Sequence, residues 1–346
     1  MPGLTPTAPR GKTELVVRWE LDVGDYVVAA EVGPEGRLVV VGAGDGSLLG
    51  VDLATGRELF RQLAHPGGLL GVSLSPDGER IVTCGPHQSA KLWSSAGELI
   101  GELEGGGKQW VDRVAWSPRG DKLATAAGRK IRIWTRAGAP VVETEELPSS
   151  VTELAWRPDG AALAASCYGG VHIWEIAAHA VARHLGWKGS LISLSWSPDA
   201  KVVACGSQDG SVHFWRLPSG RDSQMTGYPT KPKALAWDRD SKLLATGGDT
   251  TVTLWDFRGK GPEGSKPIQL SSHQGVCTCL AFSPRKGILA SGSQDSSILL
   301  WEPRRVTKPT RYAFLEDEVT VVAWHPGHQA LLGGDARGTL RAWEVS

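Results

Sequence analysis

The chain alternates short apolar runs of Val, Ile, Leu, Ala and Trp with clusters of Gly, Pro, Asp and Ser. No apolar-periodic segment reaches ten residues without a Gly or Pro break, so the pattern predicts strands and turns in place of helices. The stretch that starts at Val276 shows the arrangement clearly. VCTCLAFS reads as a strand, PRKG as a turn, ILASGS as a second strand, QDSS as a turn, ILLWEP as a third strand and TRYAFLE as a fourth. Many of these runs are apolar on both faces, as expected where a small sheet is sandwiched between neighbours.

The four-strand pattern repeats. A turn follows each first strand, as PEG from Pro34, PDG from Pro76, PRG from Pro118, PDG from Pro158, PDA from Pro198, RDS from Arg239, PRK from Pro284 and PGH from Pro326. A second marker ends each third strand at Trp93, Trp134, Trp174, Trp215, Trp255, Trp301 and Trp343, with Val51 in the first copy. Successive markers stand 42, 41, 40, 41, 40, 46 and 42 residues apart. The one long interval contains the polar insertion RGKGPEGSKP, which begins at Arg258. A fixed period of about 40 to 45 residues is the mark of propeller blades.

These residues resemble the WD-repeat proteins, and the resemblance covers essentially residues 13 to 346. It implies an all-β fold, a single closed β-propeller of four-stranded blades. Eight units are counted; the competing count is a seven-bladed ring with residues 13 to 65 as an appendage. The resemblance also implies a structural lock in each blade, made by a His before the first strand, a Ser or Thr on the second, an Asp in the following turn and the Trp on the third. Only the seventh unit carries the full set, at His273, Ser291, Asp295 and Trp301. Asp45, Asp209 and Asp249 hold the Asp position in other units, and His65 the His position of the second. Among the third-strand markers, Trp255-Asp256 is the one that carries the family's namesake dipeptide.

An open final blade would present unpaired backbone to other chains, so the ring needs closing. The last unit supplies three strands, and Thr13 to Leu21 forms a strand-like run without a unit of its own. It is expected to pair with the last blade, leaving residues 1–12 as a flexible tail.

Composition narrows the function. With 37 basic and 37 acidic residues the formal net charge is zero, so no global field steers the chain to nucleic acid or an anionic membrane. No apolar run of about 18 residues is present, and the N-terminus lacks a secretory pattern, so a cytoplasmic protein is expected. The five cysteines fall inside strand-like runs and read as small buried hydrophobes. Cys277 and Cys279 would share a strand face near His273, but metal sites bring three or four ligands at recognisable spacing, and no metal is expected. The segment GGGKQW from Gly105 lacks the spacing and the Ser or Thr of a phosphate loop, and no other cofactor fingerprint is present.

Binding is expected on the rim that carries the connections before the first strands and between the second and third. Trp110, Tyr168, Trp187 and Tyr228 come from these connections in units three to six, flanked by Lys108, Lys188, Lys231 and Lys233. Exposed, they would form an aromatic, cationic arc for a protein or peptide partner. Packed inward, they would replace the lock His. The expected function is a non-catalytic, monomeric interaction scaffold. The alternative is a small-ligand site or an enzymatic activity in the central channel. First strands such as LISLSW, PKALAW, VDRVAW and VTVVAW read as mostly apolar or hydroxylic, which favours the scaffold.

Overall fold

The computed structural model describes residues 7–105, 107–177, 180–217, 219–259 and 261–345. The first six residues of the tail and Pro218 of the turn after Trp215 lie outside them. Eight antiparallel sheets follow one another along the chain, each entered from its first strand. Blade one is Val27–Val32, Leu38–Ala43, Ser47–Asp52 and Glu58–Leu63, so the residues up to 65 do not form an appendage. Each first strand touches the first strands of the two neighbouring blades, and the eighth, Val319–Trp324, touches Val27–Val32 of the first. The sheets therefore close into an eight-bladed ring around a central channel.

The apolar core is divided accordingly. Eight buried clusters occur, each spanning the boundary between two consecutive blades. One joins Val27, Val39 and Val41 of the first blade to Leu332, Leu340 and Ala342 of the last. Second and third strands, packed on both faces, carry most of the burial, and Leu289–Ser293 and Ser297–Trp301 are buried along their whole length. Outer strands such as Glu58–Leu63 are mostly exposed. Tryptophans ending the first strands add a polar link: the Nε1 of Trp156, Trp196 and Trp324 donates to the carbonyl of Ala115, Ala155 and Ala281 of the preceding blade, at 3.0, 3.1 and 3.0 Å.

Ring closure differs in detail from the sequence expectation. Val16–Asp22 is the outer strand of the last blade, antiparallel to Thr339–Glu344. Thr13 and Glu14, expected in the same strand, instead pair in parallel with Arg311 and Tyr312 of blade seven. Buried Leu15 lies between the two segments, and its amide donates to the Tyr312 carbonyl at 2.8 Å. The N-terminal segment thus stitches two blades.

Blade four departs from the four-strand pattern. Its long segment Ala162–Glu175 pairs with Glu153–Trp156 through its first half and with Ala180–Ser190 through its second. Gly169 and Gly170 lie between the halves at φ of 96° and 134°, a conformation open to glycine and strained for other residues.

Candidate functional site on the propeller rim

The lock of blade seven is complete. His273 is held between two hydroxyls, with Nε2 2.6 Å from Ser291 Oγ and Nδ1 2.8 Å from Ser297 Oγ. Trp301 Nε1 donates to the same Ser291 at 2.8 Å. Asp295 accepts from Ser297 Oγ at 2.5 Å and from the Gln274 amide at 2.5 Å, which ties the turn between strands to the connection entering the blade. Burial would raise the Asp295 pKa, but the His273 imidazole 3.6 Å away, the Ser297 hydroxyl and the Gln274 amide outweigh it and hold the carboxyl well below its usual range. His273, Ser291, Asp295, Ser297 and Trp301 are all buried.

Other blades keep fragments of this network. In blade two, His65 and Trp93 both reach Thr83 Oγ1, at 2.9 and 3.0 Å. In blade three, Trp134 reaches Thr125 Oγ1 at 3.0 Å. Blade six substitutes a phenol for the imidazole: Tyr228 Oη lies 2.7 Å from Thr246 Oγ1 and accepts from Trp255 Nε1 at 2.7 Å. Burial pushes the Tyr228 hydroxyl up to about 12.

The expected exposed arc is therefore corrected at two positions. Tyr228 is an element of the lock. Trp187 is half-buried, with its ring stacked on His213 at 3.9 Å between centroids, beside Trp215. Tyr228 takes the place of a lock His, whereas Trp187 packs its face over His213 of the third strand of blade five. Lys188 and Lys231 beside them are exposed.

Trp110 and Tyr168 are different, at 59% and 55% exposed. On the same rim is a cavity of about 390 Å³, lined by Gln109 before blade three, Gly128 and Arg129 in the turn of that blade, and Glu146 and Ser150 before blade four; neither aromatic ring borders it. Gln109 is the chain neighbour of Trp110, and the Tyr168 amide donates to Ser149 Oγ at 2.8 Å. The surroundings carry mixed charge, since Arg129 pairs with Glu146 at 3.4 Å and Lys130 with Glu143 at 2.9 Å.

The channel is more polar than its strands suggest in sequence. Glu31 on the first strand of blade one accepts from the Leu74 amide at 2.7 Å, and burial raises its pKa to about 7. Arg113 of blade three donates from Nε to the Thr152 carbonyl at 2.8 Å. Burial raises the pKa values of Asp112 and Glu153, opposed by the charge of Arg113. In sequence these acids are masked because each adjoins a buried apolar residue, Ala30, Val111 or Leu154, in a strand dominated by such residues.

A family model described as "WD domain, G-beta repeat" matches residues 56–94, 97–135, 180–216, 223–256 and 264–302, more than half of the chain. The chain belongs to the WD40 family. WD40 relatives include nuclear distribution protein PAC1 of Arthroderma otae, 29% identical over 29% of this chain and 26% of that protein. WD repeat-containing protein 3 of Homo sapiens is 41% identical over 20% of this chain and 7% of its own length. Diphthine methyltransferase of Homo sapiens is 35% identical over 25% and 19%. The chain thus matches about a quarter or less of each of these curated relatives. Among solved structures, the computationally designed Ika8 protein superposes with a TM-score of 0.81 at 22% identity, over 96% of this chain and all of that one, which speaks for the fold alone.

Two members of the WD40 network escaped the sequence reading. Ser297 bridges His273 to Asp295, and the same Asp-x-Ser pairing recurs at Asp45 with Ser47 and at Asp209 with Ser211. Asp335 of blade eight accepts from the amides of Thr339, Glu316 and Asp317 as Asp295 does from those of Ser297, Gln274 and Gly275. Its turn, DARGT, is longer than that of blade seven, which hid the equivalence.

Proposed function

We propose that this WD40 propeller is an interaction scaffold that grips a protein or peptide segment on the rim of blades three and four, with Trp110 and Tyr168 as anchors. WD40 propellers typically serve as protein-interaction platforms, and the observation that supports this assignment is the pair of exposed aromatics, Trp110 and Tyr168, on the rim where the neighbouring residues Gln109 and Ser150 line a concave site. A large aromatic left in solvent beside a pocket is normally explained by an interface, and such anchors dominate binding energy. The nearby ion pairs favour a segment of mixed charge over a uniformly acidic one. A Trp110→Ala, Tyr168→Ala double variant should melt like the parent and lose most of the partner recovered by affinity purification and mass spectrometry. A photo-crosslinking residue at position 168 should label that same partner. Unchanged recovery with no crosslink would overturn the assignment.

The channel supports a second reading, a small polar ligand beside Arg113, Asp112 and Glu153. Native mass spectrometry of the purified protein would reveal a retained molecule. Its loss in Arg113→Met would support this reading, and a ligand-free spectrum of the parent would count against it.

A further inference from the structure

In antiparallel blades the first-to-second and third-to-fourth connections lie on the face opposite the Trp110 rim. On that face, blades six and seven enclose a cavity of about 570 Å³. Its wall brings together Arg239 from the first turn of blade six, Arg285 and Lys286 from the first turn of blade seven, Arg304 and Arg305 from the connection between the third and fourth strands of blade seven, and Arg311 at the start of the fourth. Three carboxylates share the site, Asp238, Asp240 and Glu302, so six cationic groups face three anionic ones. The whole chain is neutral, which makes this excess of three positive charges a local construction.

The cations are also organised. Asp238 stands where blades two and five carry Ser75 and Ser197, which accept the amides of Arg80 and Val202 at 2.9 Å. Asp238 does the same for Lys242 and Leu243 at 2.7 and 2.9 Å through Oδ1. A carboxylate has a second oxygen to offer, and Oδ2 accepts from Arg304 Nη2 of the next blade at 2.6 Å. The replacement of Ser by Asp is therefore unnecessary for the turn but fixes a guanidinium at the mouth of the cavity. Glu302 holds Arg305 in the same way at 2.9 Å. Two histidines nearby register the field: burial, then Arg18 and Arg285, lowers the pKa of His325, and burial, then Lys286 and Arg311, lowers that of His328 to about 4.

We infer that this cavity binds a soluble ligand bearing adjacent phosphate groups. Its volume suits a small molecule, and guanidinium groups converging from several connections match phosphate oxygens in number and geometry. A single carboxylate would leave most of the positive charge uncompensated.

Isothermal titration of the purified chain with inorganic tripolyphosphate tests the assignment, with sulfate at matched ionic strength as the control anion. Saturable binding of one tripolyphosphate per chain is expected, stronger than that of sulfate. An Arg285→Glu, Lys286→Glu variant should bind at least about tenfold more weakly. Both side chains are exposed on a turn, and a thermal melt verifies that the variant folds. A Lys188→Glu, Lys231→Glu variant, reversed on the opposite rim, should bind as the parent does. Absent saturation, equal affinity for sulfate or equal weakening by both variants would overturn the assignment. So would binding confined to phosphatidylcholine vesicles containing a phosphorylated phosphoinositide, which would assign the site to a membrane headgroup.

Discussion

Trp255 donates its indole N–H to the hydroxyl of Tyr228 at 2.7 Å, across the position where Trp301 and His273 of the next blade converge on a serine. The phenol combines two parts of the lock. It fills the space of the imidazole, and its oxygen takes over from a serine hydroxyl as acceptor for the indole. Blade six therefore keeps a closed polar network without a His, and the Thr246 hydroxyl 2.7 Å away completes it. Loss of the repeat signature at this position is replacement by a different chemistry.

Tyr228→Phe should consequently destabilise the protein by about 1–3 kcal/mol, because it leaves the buried Trp255 N–H without its acceptor while preserving the ring packing. Tyr228→Ala should cost about 3–5 kcal/mol by adding a cavity. Urea unfolding midpoints measure both. If Tyr228→Phe unfolds like the parent but recovers less partner, the tyrosine belongs to the interface after all.

The turns after the first strands carry a smaller strain. One residue adopts a left-handed conformation in all eight, the third in seven turns and the fourth in blade seven, as Gly36, Gly78, Gly120, Gly160 and Gly287, but also as Ala200, Ser241 and His328. At Ala200, φ is 59°. Relieving the left-handed strain is worth about 1–2 kcal/mol, partly offset by the extra chain entropy of glycine, roughly 0.5–1 kcal/mol. Ala200→Gly should therefore raise stability by up to about 1 kcal/mol, read as a higher thermal midpoint. A clear drop in the midpoint would contradict that account.

These turns also show why the fold was legible. The residue types that permit a left-handed turn and the tryptophan that seals the next blade recur at a fixed spacing, so each unit declares itself locally. Exposure is not local in this sense. Trp110 and Trp187 both precede a first strand, yet Trp187 has His213 and Trp215 to pack against and Trp110 stays in solvent. The difference lies in residues tens of positions away on another strand. Glu31 and Arg113 were hidden for a related reason, since only closure of the ring turns one face of each first strand toward the channel.

Closure itself can be tested at the N-terminus. Trp19 packs in the cluster between the last and first blades, and its Nε1 donates to the Leu53 carbonyl at 2.7 Å. Deleting residues 1–22 should expose the edge of Thr339–Glu344, lower the unfolding midpoint and promote aggregation. Deleting residues 1–10 should leave both unchanged. Light scattering during a thermal ramp separates the two, and a monomeric, normally melting 1–22 deletion would show that blade eight does not need its outer strand.

The histidines give the fold a defined acid sensitivity. His65 is fully buried, and burial first, then the charges of Lys91 and His87, lowers its pKa from 6.5 to about 4. Between those two values the unfolded chain binds a proton that the folded chain does not, so acidification favours unfolding. The contribution is fully present above about pH 6.5 and is lost as pH falls toward 4. His328 acts in the same direction over the same window, from burial and then Lys286 and Arg311. Asp295, whose pKa is also depressed, acts with the same sign but only below the ordinary carboxylate range, so it contributes little to the slope at higher pH. The urea midpoint of the parent should therefore fall steadily between about pH 6.5 and 4. His65→Gln removes one titrating group from that window and keeps a polar side chain near Thr83, so its midpoint should fall less steeply. Asp295→Asn should lower stability at neutral pH while leaving the slope of this window as in the parent. A His65→Gln profile parallel to the parent's would show that protonation of this buried imidazole is not what opens the protein in acid.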